Sequence, residues 1–307
     1  MEKGAVSSAR VVRSGNAVRA LLLLLAGVTA AFGCYTLDDQ ALTGGDRHDG
    51  GALAESGAPG DAGGPAATLD AGDATPDEGG SNVDGYKQAI LADNPIVYLR
   101  LGDGVGTVAK AKAGSDGVYS VGGVVQGAAG AVAGGDTAVT FTDGSGRLTI
   151  SADAGFPGSA PFSVELWAKP SASSNTPIGM IVDDTDWNDR TGWDMLAGTN
   201  SVGLERWMPT EAGSGGSVAI GDAISAGVWH HLVGTFDGAN QRFYVDGALV
   251  ATSGGIALPD HIGTLTIGHQ GCACGGSNAY VGDVDEFAIY GTALTSAQIT
   301  AHFAAAK

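Results

Sequence analysis

The stretch Val182 to Asp194, VDDTDWNDRTGWD, gathers five carboxylates and two tryptophans into thirteen positions. Three chemistries suit that mixture: oxygen ligands for a hard cation, a carboxylate pair for acid–base work, or aromatic faces and hydrogen-bonding groups for a sugar. Asp184, Asp186 and Asn188 alternate like the start of a calcium loop. Asp189, however, stands where the sharp turn of such a loop demands glycine, and no bidentate glutamate follows at the right distance. The sugar reading uses more of the residues. Trp187 and Trp193, joined by Trp207 from LERW, offer rings for the apolar face of a pyranose, and Asp183, Asp184, Asp186, Asn188 and Asp189 offer partners for its hydroxyls. A plainer reading packs Trp193 and Trp207 onto strands and leaves the acids to solvate a hairpin tip.

Reactive groups elsewhere do not combine into a catalyst. Glycoside cleavage needs two carboxyl groups flanking the bond, about 5 Å apart or more. In GDVDEF, Asp283 and Asp285 share one strand face about 7 Å apart, and Glu286 points the other way without a further acid in place. His230 and His231 are adjacent on a strand, so alternation sends them to opposite faces. The chain therefore reads as a binding protein and not an enzyme. Its three cysteines divide by context. Cys272 and Cys274, in GHQGCACGG, have each other for a disulfide in an oxidising setting, with free thiols or a soft-metal site that adds His269 as the alternatives.

These groups are carried on short apolar alternations broken by Gly, Asp and Asn, the pattern of an all-β sandwich or barrel. Ten such runs begin with IVYLRL (96–101) and end with GDVDEFAIY (282–290). Asp237-Gly238 and Asp246-Gly247 supply the positive φ angles that tight turns require. Helix is expected at YKQAILAD before Pro95 and at TSAQITAHFAAA, where Thr295 and Gln298 form a capping box.

Composition divides the chain before these elements begin. Residues 1–33 join a basic start to a short apolar run containing LLLLL, which reads as a secretory signal too short to span a bilayer. Residues 34–84 carry eleven acids and one arginine among Gly, Ala, Pro, Ser and Thr, a composition that cannot offset its ordering entropy and reads as a self-repelling linker. Residues 85–307 form the folded domain. With 307 residues, 52 glycines and a formal net charge of -18, a nucleic-acid or anionic-membrane partner is excluded for want of attraction.

Two resemblances sharpen these expectations. TAAFGC resembles the lipobox of bacterial lipoproteins, which implies a lipid on Cys34, export, and a cell-surface or outer-membrane location, with secretion as the alternative; the membrane is then met only through that anchor. The stretches YKQAILADNPIVYLRLGDGVGT, DTAVTFTDGSGRLTI, FSVELWAKP, WHHLVGTFDGANQRFYVDGALVA and GDVDEFAIYGTALTSAQITAHF resemble the laminin-G-like jelly rolls of the concanavalin-A-like superfamily. The fold implied is a two-sheet antiparallel jelly-roll sandwich with about six or seven strands per sheet. The resemblance also implies calcium as the ion to look for, with Asp136, Asp283 and Asp285 as its candidate ligands. The partner implied is a glycan or a cell-surface protein. A calcium-braced structural or adhesion module without sugar affinity is the alternative function.

Overall fold

The strand FSVELWAKP shows how the architecture follows from the sequence. Phe162, Val164, Leu166 and Ala168 enter one apolar core, while Trp167 enters a second cluster on the opposite face. Alternation on one strand thus serves two packing layers at once.

The computed structural model describes residues 81–134, 136–151, 158–171, 180–186, 191–198, 201–210, 213–259, 264–269 and 279–307. In chain order the elements begin with α1 (Ser81–Ala92), β1 (Val97–Leu99), β2 (Val108–Ala109), β3 (Ala111–Ala113), β4 (Gly117–Tyr119), β5 (Val124–Ala129), β6 (Thr137–Phe141), β7 (Leu148–Ile150) and β8 (Phe162–Pro170). They continue with β9 (Met180–Asp186), β10 (Thr191–Ala197), β11 (Val202–Thr210), β12 (Gly213–Gly221), β13 (His230–Phe236), β14 (Asn240–Val245), β15 (Ala248–Gly254), β16 (Leu265–Ile267), β17 (Gly282–Tyr290) and α2 (Ser296–Ala305).

All pairings are antiparallel and fall into two sheets. The first has nine strands, in the order β15-β14-β13-β8-β17-β1-β3, with β6 also on β17 and β5 outside β6. The second has eight, in the order β12-β11-β10-β9-β16-β7-β4-β2. Both exceed the six or seven strands expected, because Ala- and Gly-bearing segments, the short β2 and β3 and the nine-residue β12, pair as strands without an apolar alternation to announce them. The inner faces meet in one core that includes Leu99, Phe141, Leu166, Trp193, Leu204, Phe236 and Phe287. The outer face of the first sheet is covered by α1 and α2, through a cluster containing Tyr86, Ile90, Tyr98, Trp167, Tyr290 and Ile299.

Local signals place the helices and turns. Thr295 caps α2 by accepting from the Gln298 amide, and the Gln298 side chain reaches back in a complete capping box. Asp246 and Gly247, with φ of 52° and 79°, join β14 to β15, the two successive positive angles of a hairpin turn whose twist matches its strands.

One buried carboxylate ties the helical layer to the sheet. Glu165 accepts from Tyr86 Oη (3.2 Å) and His231 Nε2 (2.7 Å) at Oε1, and from Tyr290 Oη (3.0 Å) and His302 Nδ1 (2.9 Å) at Oε2. The other ring nitrogen of His302 faces Asp93 Oδ2 at 3.0 Å. A nitrogen that faces a carboxylate must donate, so His302 carries both protons and a positive charge. The sequence neighbour of His231, His230, instead meets Asp246 at 2.8 Å, so the two adjacent histidines serve opposite faces as alternation requires.

Candidate functional site

The acidic stretch folds as two paired strands, β9 and β10, joined by residues 187–190. Asp183, Asp184 and Asp186 lie on β9, where the register sets Asp183 opposite Asp194, Asp184 opposite Trp193 and Asp186 opposite Thr191. Trp187, Asn188 and Asp189 lie outside the described residues, as do Cys34, Cys272 and Cys274.

The structure separates the two described tryptophans of the proposed contact set. Trp193 is 1% exposed and packs against Phe162 with ring centroids 5.1 Å apart. It is a core residue, and its assignment as a ligand contact is corrected here: Trp193 stands opposite Arg206, on the inner face. Trp207, one residue further along β11, must face outward. It is half-buried and its indole Nε1 donates to Asp194 Oδ2 at 3.0 Å. Two glycines flank it, Gly192 on β10 and Gly216 on β12. A Cβ at Gly216 would lie 2.9 Å from Trp207 Cε3, so the indole settles over that position because glycine leaves it clear.

The outward face can be followed across the whole second sheet. Paired positions run Val108, Val118, Thr149, Thr266, Asp183, Asp194, Glu205 and Val218, one from each of its eight strands. Val118 at one end is 56% exposed, which fixes this as the outer face. Asp194 and Glu205 lie side by side near the other end, both buried. Burial holds the Glu205 carboxyl above its usual range, against hydrogen bonding from Asp194 and Trp207. An acid pair that bonds to itself has no room for a glycosidic bond between its members.

The residues proposed for a structural ion are only partly brought together. Asp136 and Asp285 meet Glu286, with one oxygen of each within 4.8 Å of the others. Asp283 stands apart and is corrected as a member of that set: Lys169 Nζ lies 2.9 Å from its Oδ2 and Thr140 donates to its Oδ1 at 2.6 Å. Glu286 was expected on the opposite face from Asp285. It joins the cluster because β17 bulges there: the register slips between Asp285 and Ala288, and Glu286 has φ of 53°, a left-handed angle unusual for a side-chain-bearing residue.

Arg100 is the cluster's built-in cation. Its Nε donates to Glu286 Oε1 at 3.0 Å, and a terminal nitrogen bridges Asp136 and Glu286. Tyr98 donates to Glu286 Oε2, while Asp285 accepts from the amides of Ala131 (2.8 Å) and Glu286 (3.1 Å). Three carboxyl groups face one guanidinium, so their full ionisation would leave an excess of two negative charges. Burial raises the Asp285 and Glu286 carboxyls, with the charge of Glu286 adding to the effect at Asp285. The donor set, all oxygen and over-charged, fits a hard divalent cation.

A face-to-face pair of antiparallel sheets with one sheet sealed by helices is a concanavalin-A-type jelly-roll sandwich. The chain belongs to the laminin G 3 family of the concanavalin A-like lectin/glucanases superfamily, whose model matches residues 134–300. No curated protein matches it. Among solved structures it is similar to the binding domain of Paraclostridial mosquitocidal protein 1 (17% identity, TM-score 0.53, covering 69% of this chain and 52% of that one). It is also similar to the botulinum neurotoxin serotype G binding domain (15%, 0.52, 68% and 50%) and to the binding domain of botulinum neurotoxin DC in complex with SialylT (15%, 0.50, 70% and 52%). The chain thus spans about half the length of these structures, and at such identities the likeness is one of fold.

Proposed function

We propose that the protein is a non-catalytic surface module that recognises a glycan or a glycan-bearing surface protein, exported and held to a membrane by a lipid on Cys34. The observation that carries this reading is Trp207. A partly exposed indole lies over a glycine on the sheet face that no described helix covers, beside the carboxyl pair Asp194 and Glu205. An aromatic platform edged by hydrogen-bonding groups is the usual composition of a sugar site, apolar with a few placed polar groups. The similar structures are binding domains, one of them in complex with SialylT, which supports the same class of work. On a glycan array, Trp207→Ala should lower retention at least tenfold at a temperature where circular dichroism shows the variant folded. Retention equal to that of the unaltered protein removes the reading.

A second reading, a calcium-braced adhesion module without sugar affinity, is favoured by the convergence of three carboxyl groups, Asp136, Asp285 and Glu286, on one guanidinium. These three would hold the ion, which would supply the positive charge that Arg100 alone leaves short. Saturating calcium should then raise the melting temperature, by a stabilisation of about 2.7 kcal/mol at a hundred times the dissociation constant. A melting curve that calcium and chelator leave unmoved sinks it, and silence on the array with a calcium-sensitive melt selects it over the first.

A further inference from the structure

A cavity of about 400 Å³ opens where the ends of β6, β8 and β17 meet, lined among others by Thr140, Thr142, Lys169, Ser171 and Asp283. Its size lies near the lower end of the range for small-ligand sites, about 300–1,000 Å³. Lys169 and Asp283 form its charged wall, with the side chains 33% and 15% exposed and Nζ 2.9 Å from Oδ2. Thr140 orients the carboxylate from the other side. The half-buried Trp229 flanks the lysine, its ring centroid 5.7 Å from Nζ. Gly282 lets the strands approach closely, since a Cβ there would meet the Lys169 carbonyl oxygen at 2.4 Å.

We propose that this cavity is a second ligand site, separate from the Trp207 face, and that it takes the vicinal diol of a neutral sugar. The lysine and aspartate neutralise each other, so the site asks no net charge of its ligand. Each keeps spare capacity: the ammonium has two further N–H groups, and the carboxylate oxygens have second lone pairs. A donor and an acceptor fixed side by side match two adjacent hydroxyls, one accepting from Lys169 and the other donating to Asp283. A zwitterion or an ion would have to break the pair first. The half-buried ring of Trp229 beside Lys169 offers an apolar face next to the pair.

The test is saturation-transfer NMR and calorimetry on the full chain with four probes: the methyl glycosides of mannose, galactose, glucose and fucose. At least one should bind, with saturation strongest at two adjacent hydroxyl-bearing carbons. Asp283→Ala should weaken it at least tenfold. Thr142→Trp should do the same by filling the cavity mouth from an exposed position without touching the ion pair, so it remains informative if Asp283→Ala misfolds. Trp207→Ala should leave this binding intact, which separates the present site from the one proposed above. Failure of all four probes to bind, or binding that survives a folded Thr142→Trp, overturns the proposal.

Discussion

At the scale of single residues, the two tryptophans of the acidic stretch and its neighbour strand make a sharp contrast. Trp193→Ala empties a large volume in the main core and should cost about 3–5 kcal/mol, read as the shift in a denaturant midpoint. Trp207→Ala removes a half-buried outward ring and the donor to buried Asp194, and should cost less, about 1–3 kcal/mol. Sequence alone could not separate them, because both sit among polar neighbours, and only the pairing of Trp193 with Arg206 tells which of two alternating positions is inside. The contribution of Asp194 was hidden for a related reason: it lay within the acidic stretch, but its partners Trp207 and Glu205 come from a different strand. His302 offers a residue-scale test of a different kind. Burial opposes its charge, but Glu165 and Asp93 outweigh that and raise its pKa above the usual imidazole value. A raised pKa means that the folded state binds the proton more tightly, so this stabilisation is complete below about pH 6.5 and is lost as pH rises through the folded value. The raised carboxyls of Asp285 and Glu286 act in the same direction. The melting temperature of metal-free protein should therefore fall between pH 6 and 9, and Glu286→Gln, which is neutral throughout, should flatten part of that slope. A melting temperature that climbs over this interval contradicts the charge assignment.

Elements follow from signals of unequal strength. The capping box of α2 was legible to the residue, and Thr295→Ala should cost about 1 kcal/mol by thermal melting. The long strands β8, β13 and β17 were equally plain, since each alternates apolar residues over seven to nine positions. What escaped was pairing without an apolar signature. β12, GSGGSVAIG, reads as a loop, yet it pairs with β11 along all nine positions, because its glycines make room for what β11 carries. The bulge in β17 escaped as well. Strict alternation sends Glu286 away from Asp285, but the extra residues let one strand leave β6 and take up β1 as its partner. Glu286 then turns in to meet Arg100 and Tyr98. A backbone irregularity of this kind has no local marker when the residue in the left-handed angle is a glutamate.

For the whole molecule, the asymmetry of the two sheets matters most. The first is sheathed by α1 and α2, which pack on it through Tyr86, Trp167 and Tyr290, with Glu165 beneath accepting from both tyrosines. The second presents to the outside a row of positions that includes Asp194 and Glu205, with Trp207 beside them. Fold class was legible because sandwich packing needs only alternation and turns, repeated often. Which face binds was not legible, because that depends on where the helices land.

The contact between α1 and α2 brings the start and finish of the folded domain to one side. Copies of residues 81–307 joined head to tail by short flexible connectors could therefore be threaded like charms on a bracelet, clasps together and pendants outward, each keeping its Trp207 surface free for multivalent capture.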